Sequence, residues 1–210
     1  MKIYNGNFSA NALRVRAVAL ELGLDFEIVE INVMGGENKT EDYLAINPNG
    51  KIPALEDDGF IIWESRAITS YLAGKRPEAG LYPDDIKQRA IVDQWSYWQT
   101  VHLGPAMSKV IFERFFKPKF RMGETDPVAI DSGVKEIAQF LPVLEAGLNG
   151  KDWVAGNLSV ADFALASAFV FRKEGDISLA DYPNVTGWID RMESRPSWQE
   201  AVKPLVAMMS

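Results

Sequence analysis

The spacing of apolar and polar positions changes part-way along the chain. Up to about residue 76, short β-prone runs alternate with helix-like stretches, and beyond residue 84 no run reads as a strand. Lys2-Ile3-Tyr4 is short and β-compatible. Leu13 to Leu22 predicts an apolar helix interrupted by Arg14, Arg16 and Glu21, with Gly23 where a C-cap glycine belongs. Phe26 to Ile31 partly alternates and is rich in β-formers, so it predicts a second strand. Strand, helix and strand make a βαβ unit, expected to be parallel and right-handed. After a loop containing Gly35-Gly36, Asn47-Pro48-Asn49-Gly50 is a turn signal. Two short strands follow, Ala54-Leu55-Glu56 and Phe60 to Trp63, around Asp57-Asp58-Gly59, a hairpin turn by composition. Ser65 to Ala73 predicts a helix. The order βαβ then ββα predicts a small mixed sheet flanked by helices.

Gly and Pro cluster between Gly74 and Pro83, which marks a linker and leaves two domains, residues 1–76 and 84–210. The second reads as helices at roughly Ile86 to Phe116, Pro127 to Leu148, Val160 to Arg172, Val185 to Glu193 and Ser197 to Val206. Ser159 and Asp162 have capping-box spacing at the head of a stretch whose apolar residues run nearly all round, as in a buried central helix. Trp95, Trp98 and His102 share one helix face, and Phe112, Phe115 and Phe116 another. These rings read as core before they read as a pocket. His102, the only histidine, reads as an ordinary helix residue before a general base. Glu113-Arg114 and Lys117 read as a solvated face.

Composition narrows the chemistry. With 210 residues, 47% of them hydrophobic, the chain has ample material for a core. It has no cysteine, which excludes disulfides, zinc-thiolate clusters and a cysteine nucleophile. A net charge of −7 argues against nucleic acid as a partner. No signal-peptide-like start and no membrane-length apolar run is found, so the expected location is cytoplasmic, away from membranes.

Two segments could carry chemistry. In Asn47-Pro48-Asn49-Gly50-Lys51-Ile52-Pro53-Ala54-Leu55, a cis bond at Ile52-Pro53 would turn the Ile52 backbone outward, where an extended peptide could pair with it. The same segment reads equally well as a plain turn entering a strand. In Trp63-Glu64-Ser65-Arg66-Ala67-Ile68, Ser65 is a natural N-cap whose helix start offers N–H groups to a carboxylate, while Glu64 could take an ammonium group. Capping by Ser65 and solvation of Glu64 is the simpler account of that segment alone.

Together, in this order and at this spacing, Asn47-Pro48-x-Gly50-Lys51-Ile52-Pro53-x-Leu55 and Glu64-Ser65-Arg66-Ala67-Ile68 resemble the glutathione S-transferase family, in particular its serine-type branches, the phi class and bacterial members. The resemblance covers essentially the whole chain. It implies an α/β plus all-α fold: an N-terminal thioredoxin-like βαβ-ββα domain that holds glutathione, followed by an all-helical domain that holds the electrophile. It also implies that Ile52, before the cis Pro53, pairs with the cysteinyl part of glutathione, and that Glu64 and Ser65 hold the γ-glutamyl end. Lys39 inherits the glycyl carboxylate, with Lys51 a second candidate. Asn38 stands where phi enzymes often carry histidine.

The family's nucleophile is glutathione's own thiol, so the protein must make thiolate at neutral pH. A free thiol has a pKa of about 8.5, lowered by donors and helix N-termini. Ser9 lies just before the first helix, five residues ahead of Arg14-Val15, as in the serine-type enzymes. It is the catalytic candidate, with Asn11 its helper. Tyr4 is the rival, because some classes use a tyrosine near the N-terminus. The implied activity is transfer of glutathione to small hydrophobic electrophiles, in detoxification, by a homodimer with Arg66 a candidate for cross-subunit contacts. Glutathione is the co-substrate and no metal is implied. Two alternatives share the scaffold: glutathione-dependent reduction of disulfides or peroxides, and a non-catalytic interaction module.

Overall fold

In the computed structural model, which describes residues 1–209, four strands form one sheet in the order β2-β1-β3-β4. They are β1 (Lys2–Asn5), β2 (Glu27–Glu30), β3 (Ala54–Asp57) and β4 (Phe60–Trp63). β1 and β2 are parallel, with Tyr4 opposite Val29, and β3 runs antiparallel to both β1 and β4. The β3–β4 hairpin closes through Asp58 (φ 49°) and Gly59 (φ 83°), the two positive φ angles that a tight hairpin of matching twist requires.

Helix α1 (Ala10–Glu21) buries every residue from Ala12 to Ala19, because it packs against both α3 (Ser65–Gly74) and α10 (Pro196–Met209). It ends as Gly23 predicts. Gly23 takes φ 59°, and the Leu24 and Gly23 N–H groups donate back to the Ala19 and Leu20 carbonyls. Helix α2 (Glu41–Ile46), the second helix, just after Lys39, has no counterpart among the elements that the apolar pattern predicts. Its sequence signal was Thr40-Glu41-Asp42. Thr40 caps by accepting from the Tyr43 N–H, and two acids occupy the first turn. Tyr43 then packs with Tyr4, Ile31 and Ala54.

The helical stretch expected from Ile86 to Phe116 is not one uniform helix. It comprises α4 (Ile86–Trp98) and α5 (Gly104–Ile111) with π turns at Gln99–Leu103 and Phe112–Phe116, and it runs on past the expected end into α6 (Lys117–Phe120). Pro105 and Pro118 explain the breaks: neither has an N–H for the carbonyl four residues earlier, so the ladder widens just before each. Then come α7 (Pro127–Gly147), α8 (Val160–Ala168) and α9 (Pro183–Glu193). α8 stops at Ala168 rather than Arg172, the chain turning at Phe169.

The capping box at α8 is reciprocal and more extensive than its spacing implies. The fully buried Asp162 carboxylate accepts from the Ser159 N–H (2.9 Å) and Oγ (3.1 Å), the Val154 N–H (3.0 Å) and Trp188 Nε1 (3.0 Å). Burial pushes this carboxyl up, against those four donors. The solvated-face reading of Glu113 is corrected. It is buried, and it accepts from Lys117 Nζ (2.8 Å) and the Asp126 N–H (2.7 Å), while Arg114 reaches the Gly175 carbonyl (2.8 Å). Glu113 thereby ties this helical run to the start of α7, and Arg114 ties it to the segment after α8.

Two compact units result: Met1–Pro83 together with the segment from Glu193 onward, and Asp84–Met192. Within the second, Trp98 packs among Trp95, His102 and Phe140, and Phe116 among Phe115, Phe120 and Phe171. His102 is exposed.

Candidate active site

The loop from β1 to α1 is pressed against the turn that enters β3. A Cβ on Gly6 would overlap Ile52 Cδ1, so any larger residue there would force the Ile52 side chain to shift. The Ser9 N–H closes the loop by donating to the Gly6 carbonyl at 2.9 Å. Ser9 then caps α1 with extended backbone (φ −92°, ψ 113°), its Oγ accepting from the Ala12 N–H at 3.2 Å. It is half-buried, and among the described residues its own O–H has no acceptor. A hydroxyl that accepts from the helix and still has a proton to give, at a positive helix end, suits an anion in front of it. Asn11, two residues on, is exposed in the first turn of α1.

Tyr4 offers no such proton. It is 8% exposed and its Oη donates to Glu56 Oε2 at 2.7 Å. Burial and that carboxylate push its pKa up to about 12, far from a group that ionises near neutrality.

Ile52–Pro53 is cis. The residue before it is clamped, since the Lys51 carbonyl accepts from Tyr43 Oη at 2.7 Å and Asn47 Nδ2 at 2.6 Å. Beyond that clamp, neither the N–H nor the C=O of Ile52 meets a backbone partner among the described residues. The Asn47-to-Gly50 turn forms as its sequence predicts, with the Gly50 N–H on the Asn47 carbonyl (2.8 Å) and the Asn49 N–H on Asn47 Oδ1 (3.1 Å).

Asn38 is buried and donates to the Gly50 carbonyl at 2.7 Å, so it joins two loops rather than facing outward. Lys39 lies over the same glycine. A Cβ on Gly50 (φ 60°) would sit 2.7 Å from Lys39 Nζ and 2.8 Å from the Asn38 carbonyl oxygen. Lys39 and Lys51 are both exposed, on either side of this turn.

At the start of α3 the expectation for Ser65 is corrected. Glu64, not Ser65, is the N-cap: its carbonyl takes the first helical bond, from Ile68 N–H at 2.9 Å, and no side chain caps this end. Glu64 has φ 69° and ψ 110°, a region that costs a non-glycine residue about 1–3 kcal/mol. That angle turns the strand directly into the helix and leaves the Glu64 side chain exposed. Ser65, 4% exposed, instead accepts from Arg14 Nη1 of α1 at 3.3 Å. Burial, with Arg66 nearby, pushes the Arg14 guanidinium down. Arg14 is the site residue that sequence reasoning missed, although two arginines in an otherwise apolar helix were its signal.

The structure thus packs Gly6, three residues before Ser9, against the Ile52 side chain, places Lys39 Nζ over Gly50 of the adjoining turn, and ties Ser65 to α1 through Arg14. Among the described residues no group of three or more His, Asp or Glu is arranged to hold a metal, and no helix is long and apolar enough to cross a membrane.

The family described as glutathione S-transferase, N-terminal domain matches residues 1–74, and that described as glutathione S-transferase, C-terminal domain matches residues 103–196. A probable glutathione S-transferase GSTF2 from Oryza sativa subsp. japonica is 34% identical over 203 residues, covering 95% of this chain and 94% of that relative. Glutathione transferase F7 from Populus trichocarpa has a similar structure, with a TM-score of 0.89 and 31% identity over 97% of this chain and 98% of that one. Glutathione S-transferase I from mais, in complex with an atrazine glutathione conjugate, has a TM-score of 0.88 and 32% identity over 98% and 97%.

Proposed function

The chain belongs to the glutathione S-transferase family, and from that premise we propose how its residues divide the work of a glutathione-dependent transferase. Ser9 donates its hydroxyl hydrogen to the glutathione sulfur and holds it as thiolate, with the start of α1 adding positive potential. Asn11 helps from the next turn. Ile52, beside cis Pro53, pairs by its backbone with the cysteinyl unit. Glu64 takes the γ-glutamyl ammonium, and Ser65 takes its carboxylate. Lys39 faces the glycyl carboxylate, with Lys51 behind it.

Residues 1–76 are read as the glutathione domain and the helices from residue 84 as the electrophile domain, except that the segment from Glu193 onward belongs to the first compact unit. The thiolate attacks a small hydrophobic electrophile, a C–S bond forms, and the leaving group departs with the electron pair. The working form is a homodimer in the cytoplasm, and its role is detoxification.

The observation that carries this reading is the uncommitted Ser9 hydroxyl on a loop pressed against Ile52, whose backbone is open. It is tested by titrating enzyme-bound glutathione through its thiolate ultraviolet absorbance. The bound thiol should ionise well below the free pKa of about 8.5. It should return toward that value in Ser9→Ala; an unchanged titration would reduce Ser9 to a helix cap. Comparing aryl-halide conjugation with disulfide reduction separates transfer from the reductase alternative.

A further inference from the structure

Behind the Ser9 loop lies a buried polar relay that the reading above does not use. Asn5, at the end of β1, is fully buried, and Arg16 of α1 is 4% exposed. Arg16 Nη1 donates to Asn5 Oδ1, and its Nη2 donates to the Ala201 carbonyl of α10 at 2.9 Å. Asn5 Nδ2 donates onward to Asn7 Oδ1 at 3.0 Å and to Glu30 Oε1 at 2.7 Å. The relay therefore runs from the C-terminal helix through α1 and β1 into the turn that ends at Ser9.

Its direction is dictated by what each group can do. A guanidinium only donates and an ionised carboxylate only accepts. With Arg16 on one side and Glu30 on the other, the Asn5 amide has one satisfying orientation. Turned over, its NH2 would face the guanidinium and its oxygen the carboxylate. Arg16 thus sets the Asn5 amide, and the amide holds Asn7. Asn7 sits inside the turn closed by the bond from the Ser9 N–H to the Gly6 carbonyl. Gly6 in turn rests against Ile52.

The relay is costly in stability terms. Arg16 Nε is buried without a hydrogen-bond partner, and burying a guanidinium is expensive even when it is paired. An apolar side chain would pack here at lower cost but could not orient an amide.

We propose that Arg16, acting through Asn5, is a positioning residue for Ser9, holding the Gly6-to-Ser9 turn so that the hydroxyl points at the glutathione sulfur. This rests on the reading of Ser9 as the thiolate donor. Removing Arg16 also removes a positive charge, which would raise a nearby thiol pKa whatever stands at position 9. The test must separate these two effects.

The bound-glutathione titration is run on the full-length wild type, Arg16→Met, Ser9→Ala and the double variant, with thermal midpoints recorded alongside. With Ser9 present, Arg16→Met should raise the bound thiol pKa by about half a unit or more, roughly a threefold loss of thiolate below that pKa. In the Ser9→Ala background the same change should raise it clearly less, by the loss of charge alone. An equal rise in both backgrounds assigns the effect to charge alone and overturns the proposal. A lowered thermal midpoint with no rise in either background overturns it as well, leaving a purely structural role.

If Ser9→Ala by itself leaves the thiol unmoved, the Ser9 reading falls first and the proposal with it, a result distinct from the other two. Asn5→Ala keeps the cation and cuts the relay, so it should reproduce the rise and serves if Arg16→Met does not fold. Arg16→Lys, which can still donate to Asn5 Oδ1, should restore part of the shift.

Discussion

Each unit of the molecule opens a buried helix with a serine, and the two serines are used differently. Ser159, 2% exposed, is locked to Asp162, and that carboxylate also gathers the Val154 N–H and the Trp188 indole. Every polar atom there is matched within the unit. Ser9 is half-buried, accepts one weak bond from the Ala12 N–H, and keeps its proton uncommitted. A satisfied network rigidifies a core, whereas an unsatisfied donor at a helix N-terminus is available to something outside the chain. Satisfaction, not residue type, separates the structural serine from the candidate catalytic one.

The largest effect should come from breaking the satisfied side. Asp162→Ala leaves four buried donors without an acceptor, and we expect a loss of about 3–5 kcal/mol in chemical denaturation. The pKa of bound glutathione in whatever fraction stays folded should not change. Ser9→Ala reverses the pattern. Steady-state conjugation should fall by about a hundredfold, as for loss of one transition-state donor. Stability should fall by only about 1 kcal/mol, the usual worth of an N-cap. A variant that loses stability and activity in proportion would erase the distinction between the two serines.

Tyr4 sharpens the comparison inside the first unit, because its hydroxyl is already given to Glu56. Tyr4→Phe should cost about 1 kcal/mol of stability and leave the conjugation rate within about twofold. A large rate loss would move the thiolate donor from Ser9 to Tyr4.

The smallest effect is a difference in acid sensitivity. Lys75 and Tyr71 hold the Asp57 carboxyl below its ordinary range. Its contribution is therefore present above the unfolded carboxylate pKa and is lost as pH falls through the lower folded value. Asp162 runs the other way: burial raises its folded pKa, so its titration favours the folded state below the unfolded pKa and that gain is lost as pH rises through the folded one. In unfolding midpoints measured down the acid limb, Asp57→Asn should flatten the decline and Asp162→Asn should steepen it.

Local signals carried much of the fold. The hairpin turn at Asp58-Gly59, the helix stop at Gly23 and the capping box at Ser159 depend on backbone preferences of a few adjacent residues, and each formed where those preferences put it. Errors arose where distant groups intervened. Ser65 has the chemistry of an N-cap, yet Glu64 at φ 69° takes that place and Ser65 turns to Arg14. Glu113 has the look of a surface charge until Lys117 and the Asp126 N–H claim it. Helix α2 is signalled only by the Thr40 cap and the two acids after it, because six residues are too few to show an apolar helical period.

What the sequence determined by itself was the order of elements and the residues placed at their ends, since strand alternation, caps and turns are encoded within a few positions. It also set Ser9, Ile52, Glu64 and Ser65 in the order on which the family resemblance rests. Only the tertiary structure decided which polar groups were consumed. Tyr4 is spent on Glu56 and Asn38 on the Gly50 carbonyl, while the Ser9 hydroxyl is not spent. Hydrogen-bond satisfaction depends on partners far apart in the chain, and in this fold a donor's availability is set by packing rather than by its neighbours in sequence.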